Sequence, residues 1–158
     1  MNSVHAYLSR RLPAAFRQLW RSLEALDAAN AATGVDPAWR QYRFGYGLNG
    51  SILGIVQHVT AWKHIAAQGL ATGVWPEPEA TPGATEEWNV LLEALEQGQA
   101  ALEQELARRT PEELEETVSF SGWPMTVTEV FAHMLEHDQY HAGQISLLRQ
   151  QRGERFPE

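Results

Sequence analysis

Four long stretches of the sequence repeat apolar residues at spacings of three and four, and this periodicity constrains the fold more than any other feature. The stretches cover about residues 4–32, 51–69, 85–109 and 126–151. Such spacing aligns apolar side chains along one face of an α-helix and is typical of helices packed around a common core. The sequence shows no convincing series of strands beside them. It therefore predicts an all-α fold.

Caps, glycines and prolines separate the helical stretches. Thr110 and Thr126 are each followed three residues later by glutamate, which is the capping-box spacing that begins a helix. Pro13 predicts a kink or a start inside the first stretch. The stretch ETVSFSGWPMTV alternates briefly, but Gly122 and Pro124 favour a loop or a short extended piece.

A four-helix bundle is the economical arrangement of four such helices in a chain of 158 residues. We predict that residues 1–158 form a single domain, because a chain of this length can bury one substantial core. The connections after the first and second stretches are longer than tight turns require. Crossover connections are therefore compatible with the sequence.

Composition excludes several classes of protein. The formal net charge of −8 argues against a general binder of nucleic acid or of anionic membranes. The chain has no cysteine, which excludes disulfides, thiolate metal ligands and a cysteine nucleophile. The longest strongly apolar run, ILGIV, is too short to cross a bilayer, and the N-terminal residues lack the apolar region of a signal peptide. We therefore expect a soluble cytoplasmic protein without a membrane or nucleic-acid partner.

Three histidines recur at four-residue intervals in the last stretch, at His133, His137 and His141. Four residues are about one helical turn, so the three rings form a column. On a helical wheel His137 and His141 fall inside the apolar stripe with Gln144 beside them, and His133 lies nearer its margin. Asp138 lies about 100° away from His137. We expect Asp138 at the surface or in support of a neighbouring histidine.

The same helical-wheel projection of the second stretch places a fourth histidine on the face directed at the core. His58 falls among apolar residues there, whereas His64 points to the opposite side and is expected to be exposed, as is His5 near the N-terminus. Ala142 is placed on the polar face of the last helix. The interior thus receives at least three imidazoles from two helices.

Two explanations of these inward histidines remain open. Each ring can be an ordinary core histidine satisfied by hydrogen bonds, but an unpaired buried polar group costs about 1–3 kcal/mol and three rings multiply that risk. A divalent metal removes the difficulty, because one nitrogen of each ring becomes a ligand. An i, i+4 pair can reach a common ion, as in H-E-x-x-H proteins, although the glutamate of that motif is missing here.

Two segments resemble the DinB-like (DinB/YfiT) superfamily, namely SILGIVQHVTAWKH and HMLEHDQYHAGQISLL. The second segment contains the family's His-x-x-x-His followed by Gly-Gln, with Ala142 where arginine is common. The resemblance extends to chain length and helix layout. It implies an antiparallel four-helix bundle with long crossover connections, frequently a homodimer. It also implies a metal held by His58, His137 and His141, for which zinc, nickel, iron and manganese are all admissible.

The resemblance further implies an enzyme, because relatives include S-transferases that use bacillithiol or mycothiol and a mycothiol-dependent isomerase. In such a protein a low-molecular-weight thiol acts on a small-molecule substrate, which agrees with the lack of cysteine. Metal-assisted hydrolysis is the second reaction type. His133 is the candidate base, with the core or an auxiliary ligand as alternatives.

Three further residues are candidates for contacts to the substrate, the thiol or a metal ligand. They are Trp62, Tyr140 and Gln144. Core packing is the simpler explanation of Trp62, and Tyr140 can equally be a surface residue. Gln144 can orient a ligand histidine by bonding to the free ring N–H of that histidine. Four aromatic residues of the first long loop can line a pocket mouth or seal one end of the helices: Trp39, Tyr42, Phe44 and Tyr46.

Two other classes remain as alternatives. One is a non-catalytic metal-binding or dimerisation module, in which a structural or sensing ion is closed by a fourth protein ligand, with His133 as the sequence candidate. The other is a metal-free helical protein in which all inward histidines are satisfied by protein or water. The coordination of the metal distinguishes the enzyme from the non-catalytic module, because an enzyme keeps an exchangeable position for water or thiol and a structural ion does not.

Overall fold

The computed structural model describes residues 3–32 and 51–154. Within these ranges the chain is mostly helical, which confirms the predicted helical class. The helices are α1 (Ser3–Ser22), α2 (Ala28–Ala32), α3 (Ile52–Thr72), α4 (Trp88–Arg108), α5 (Pro111–Leu114) and α6 (Val127–Gln151). Two short strands, β1 (Thr117–Phe120) and β2 (Trp123–Thr126), precede α6, and two 3-10 turns, Pro78–Ala80 and Pro82–Ala84, precede α4. The predicted aromatic loop residues, Trp39, Tyr42, Phe44 and Tyr46, lie outside the described ranges.

The first predicted helix is divided in two by a turn. The helix α1 continues through Pro13 but ends at Ser22, and Ala25 adopts a left-handed conformation with a φ of 61° before α2 begins. The guanidinium of Arg149 on α6 donates hydrogen bonds to the carbonyls of Ser22 and Glu24, each at 2.8 Å. This contact between distant residues stabilises a turn that the helical periodicity does not indicate.

Both predicted capping boxes are present. Thr110 and Glu113 exchange side-chain and backbone hydrogen bonds at the start of α5, and Thr126 and Glu129 do so at the start of α6. Ser51 caps α3 by accepting a hydrogen bond from a backbone N–H in its first turn. These bonds satisfy donors that a helix N-terminus otherwise leaves unpaired, so they define where the helices begin.

The four long helices contact one another in a closed cycle. The helix α1 packs along α6 and α3 along α4, while α3 also contacts α6 and α1 also contacts α4. Of these, α3 is buried almost all round, with 15 of its 21 residues in the interior. Polar residues of α3 are therefore buried together with its apolar ones. None of the helices in the described ranges has the length and apolar character needed to cross a membrane.

The stretch expected to be a loop or a short extended piece forms a regular β-hairpin. The strands β1 and β2 pair antiparallel, with Phe120 opposite Trp123 across a two-residue turn. Ser121 and Gly122 in that turn have φ values of 51° and 82°, which match the twist of a tight hairpin. Pro124 is tolerated because each strand of a two-stranded sheet is an edge strand.

Three residues predicted on exposed faces are partly or fully buried, so those predictions are wrong. The imidazole Nε2 of His5 lies 2.9 Å from the carbonyl of Leu106, and that of His64 lies 2.7 Å from the carbonyl of Ala94. Both carbonyls belong to α4, which packs against both α1 and α3. Ala142 is only 8% exposed, within an apolar cluster to which α1 and α3 also contribute.

Candidate metal centre

Three imidazoles converge where α3 meets α6. The Nε2 atom of His137 lies 2.9 Å from Nε2 of His58 and 3.1 Å from Nε2 of His141. Two nitrogens that each lie about 2.0 Å from a tetrahedral ion are about 3.3 Å apart, so only a small outward shift of the rings would admit an ion. The histidine pair on α6 and the single histidine on α3 therefore form a group that could hold a divalent metal.

The electrostatics of this group favour a metal over protons. Burial lowers the pKa of His141 to about 3, and the nearby imidazole of His58 contributes to that change. Burial also lowers the pKa of His137 well below its ordinary value, with further contributions from the neighbouring histidines and Lys63. The rings of His137 and His141 are therefore neutral at pH 7, which is the state that binds a metal cation.

Gln144 determines which nitrogen of His141 can act as a ligand. The side-chain oxygen of Gln144 lies 2.5 Å from Nδ1 of His141, so the Nδ1–H donates and Nε2 is left with its lone pair. The amide nitrogen of Gln144 donates to the hydroxyl of Tyr140 at 3.1 Å. Tyr140 is 61% exposed and thus lies at the surface, one contact away from the cluster.

A cavity of about 380 Å³ opens beside the cluster. Its wall is formed by side chains of α3, α6 and the β-hairpin, namely His58, Trp62, Phe120, Ser121, Trp123, Met125, His133 and His137. His133 is exposed on this wall, and its ring centroid lies 5.9 Å from that of His137, outside the three-nitrogen group. Trp62 packs against the core and also faces the cavity, so both explanations of this residue apply.

Sequence reasoning missed a buried ion pair next to the cluster. Asp138 is buried, and one of its carboxylate oxygens lies 2.7 Å from Nζ of Lys63 on α3, so the alternative of a surface position is wrong. The Lys63 ammonium also donates to the side-chain oxygen of Gln99 at 2.8 Å. The signal was available in α3, because a helix that is apolar on nearly every side must bury its polar residues as well.

The hairpin residues of the cavity wall were also missed. Phe120, Trp123 and Met125 lie in strands, so a helical wheel says nothing about where their side chains point. They reach the cavity through the pairing of β1 with β2. The alternation in ETVSFSGWPMTV was the available signal. It indicated extended structure without indicating what that structure would face.

A family model of the DinB superfamily matches residues 10–145. The chain belongs to the DinB superfamily. The matched range contains His58, His137 and His141, so membership agrees with the resemblance seen in the two histidine segments. DinB membership and the three-histidine cluster together fit a family of metal-binding enzymes.

A solved structure shares the fold of this DinB protein. The crystal structure of a conserved protein from Enterococcus faecalis superposes with a TM-score of 0.70 at 17% sequence identity, covering 98% of this chain and 100% of that chain. Identity at this level shows a common fold and nothing further. No curated protein matches the chain in sequence.

Proposed function

We propose that this protein is an enzyme that depends on a divalent metal ion and transfers or isomerises a small molecule by means of a low-molecular-weight thiol. His58, His137 and His141 are the proposed ligands, and zinc, nickel, iron and manganese all accept imidazole. One observation carries the proposal. The three-nitrogen group adjoins an open cavity that two of its histidines help to line.

The openness of the site favours an enzyme over a structural ion. A structural ion is normally enclosed by four protein ligands, whereas a catalytic ion keeps a position for water or substrate. Among the residues that the structure describes, the candidate group contains three histidines, and His133 lies outside it. A small molecule in the cavity would meet His58 and His137 directly. This arrangement supports the catalytic alternative over the structural or sensing one.

The chain's own residues supply positioning and proton transfer. A bound divalent ion supplies Lewis acidity, which lowers the pKa of a thiol or water beside it. The sulfur must come from a small-molecule thiol, because the chain has no cysteine, and the family resemblance favours bacillithiol or mycothiol. Gln144 holds His141 in one tautomer, with Tyr140 as its outer contact, and Trp62 forms an apolar wall for the bound molecules.

His133 is the proposed base. It lies on the cavity wall, with its ring 5.8 Å from Phe120 and 5.9 Å from His137 between centroids. There it accepts the thiol proton as the sulfur attacks an electrophile. In a transfer reaction the leaving group departs with its bonding pair and the proton passes to that group or to water, and in an isomerisation the proton returns to the carbon skeleton before the sulfur leaves. With water in place of the thiol the same residues would carry out hydrolysis, which we place second.

The finer features of fold and assembly are proposed from the resemblance. The four long helices would form an antiparallel bundle with long crossover connections. The protein would pair into a homodimer in the cytoplasm, without a membrane or nucleic-acid partner. The cyclic contacts of α1, α6, α3 and α4 support the bundle.

Metal content measured by inductively coupled plasma mass spectrometry tests the proposal. We expect about one transition metal per chain in tag-free wild-type protein and loss of that metal in His137→Ala. His133→Ala is the matched control, because it removes an imidazole from the same helix but not from the three-nitrogen group. Loss of the metal in both variants would favour a closed structural site. No metal in the wild type after reconstitution with zinc, nickel or manganese would contradict the proposal.

A conjugation assay separates catalysis from metal binding. Metal-loaded protein is incubated with bacillithiol or mycothiol and 1-chloro-2,4-dinitrobenzene, from which the sulfur displaces chloride. We expect His133→Ala to keep its metal and to conjugate at least about 100-fold more slowly, as loss of a general base predicts. Equal rates with and without protein would reduce the proposal to metal binding alone.

A further inference from the structure

We propose that the cavity beside the histidine cluster binds an uncharged aromatic group of the substrate, and that the β-hairpin determines this specificity. The inference rests on the proposed function and adds the chemical class of the molecule that reacts there. It is carried by the composition of the cavity wall and by the position of Trp123.

The described residues of the cavity wall offer a substrate no charged partner. None of its eight lining residues in the described ranges carries a carboxylate, ammonium or guanidinium group. Its side-chain polar groups are three imidazoles, the Trp62 and Trp123 indole N–H groups and the hydroxyl of Ser121, and two of these imidazoles belong to the proposed ligands. Away from the proposed metal position, a charged group entering the cavity would lose hydration without gaining a counter-ion from the described residues, which is costly. The part of the substrate that packs against the hairpin side of the cavity is therefore uncharged.

Aromatic rings dominate the apolar part of the wall. The rings of Trp62 and Phe120 lie 5.5 Å apart between centroids at 58°, and those of Phe120 and His133 lie 5.8 Å apart at 67°. A further ring in the cavity can make tilted or edge-on contacts of the same kind with these side chains. The volume of about 380 Å³ lies at the lower end of the range for small-molecule sites. It suits a ring system with a short arm directed at the histidines.

Trp123 marks the rim of this site. Its side chain is 74% exposed although it lines an apolar cavity. It pairs with Phe120 across the two-residue turn, so both side chains emerge on the same face of the hairpin. An aromatic substrate group would cover Trp123 on one side while it contacts Phe120 on the other. The hairpin thus presents the two rings that select the substrate.

Calorimetric titration of the full chain tests the inference, with metal bound and after chelation. The probes are 1-naphthalenemethanol, the anion 1-naphthoate and decahydro-1-naphthalenemethanol. We expect the aromatic alcohol to bind in both forms. In the chelated form it should bind at least about tenfold more tightly than naphthoate, because the anion finds no counter-ion. It should bind at least about threefold more tightly than its saturated counterpart, which lacks ring–ring contacts.

Two exposed aromatic residues provide the variant and its control. Trp123→Ser should weaken binding of 1-naphthalenemethanol about threefold to tenfold. Tyr7→Ser removes an exposed aromatic side chain from α1, outside the cavity, and should leave binding unchanged. No binding of the alcohol, equal affinity for naphthoate, or unchanged affinity in Trp123→Ser would overturn the inference. The affinities in the chelated form do not depend on metal binding. Failure of these affinities would defeat the inference, whereas failure to bind metal would defeat the proposed function.

Discussion

Lys63 and Asp138 form a buried ion pair, with 2.7 Å between Nζ and a carboxylate oxygen and about 1% exposure of either side chain. The pair joins α3 to α6, the two helices that also bring the three histidines together. A buried charge is tolerated when its partner and further hydrogen bonds compensate for lost hydration, and here Gln99 provides one such bond. The ion pair therefore links the register of these helices to the geometry of the candidate metal centre.

Removing one member of this pair should be far more harmful than removing both. We expect Lys63→Met to lower the free energy of unfolding by about 3–5 kcal/mol, because the Asp138 carboxylate is then buried without a counter-ion. The double variant Lys63→Met/Asp138→Leu should recover most of that loss. Urea denaturation gives the free energy of unfolding of the wild type, the single variant and the double variant. A double variant as unstable as Lys63→Met would show that the pair stabilises the fold in another way.

The contact between Gln144 and His141 should control metal affinity. Gln144→Leu removes the acceptor for Nδ1–H of His141, so we expect a 10–100-fold weaker metal affinity, about the effect of losing a residue that orients a ligand. Competition with a chromophoric chelator measures it. Gln144→Glu keeps an acceptor and should restore most of the affinity, while Tyr140→Phe should change it little. Wild-type affinity in Gln144→Leu would contradict this role.

The metal-free protein should lose stability in acid. The pKa of His141 is about 3 in the folded chain, against an ordinary value of 6.5. Between these pH values His141 binds more protons in the unfolded chain than in the folded chain. Its contribution to the free energy of unfolding therefore falls as the pH decreases below about 6.5 and is constant above that pH. One such histidine adds at most about 1.4 kcal/mol per pH unit to the slope of the free energy of unfolding against pH.

Comparison with a variant isolates the contribution of that histidine. Urea denaturation of chelated wild type and chelated His141→Asn between pH 4 and 8 should show a shallower decline in the variant, which lacks the titrating ring. Parallel profiles below about pH 6.5 would mean that His141 is not held neutral by the fold. Above about pH 7 the two profiles should run parallel, because a neutral ring binds no protons in either state.

Gly69 should tolerate no side chain. A Cβ added to this residue of α3 would overlap the indole ring of Trp75, which itself packs edge-on against Phe120 at 5.3 Å. We expect Gly69→Ala to destabilise the protein by about 1–3 kcal/mol in thermal or urea unfolding, as overpacking does. Gly143→Ala on α6 is the matched control, because an added Cβ there meets no atom within 4 Å. It should be neutral or slightly stabilising, since alanine is the better helix former.

Helices, caps and the histidine column were predictable because each depends on residues close together in the chain. Thr126 and Glu129 satisfy each other's backbone within one turn, and His137 and His141 share a face because helical geometry places residues four apart together. The inward direction of His58 followed from the apolar residues around it. These features need no knowledge of how one helix sits against another.

The position of the hairpin against the cavity, the Lys63–Asp138 pair and the turn at Ala25 depend on tertiary structure. Asp138 lies 75 residues from Lys63, and the turn is held by Arg149, which lies well over 100 residues further along the chain. Whether such residues meet is decided by the rotation and register of packed helices. Those quantities result from packing the whole core at once, so periodicity along a single helix determines which face is buried but not what that face will contact.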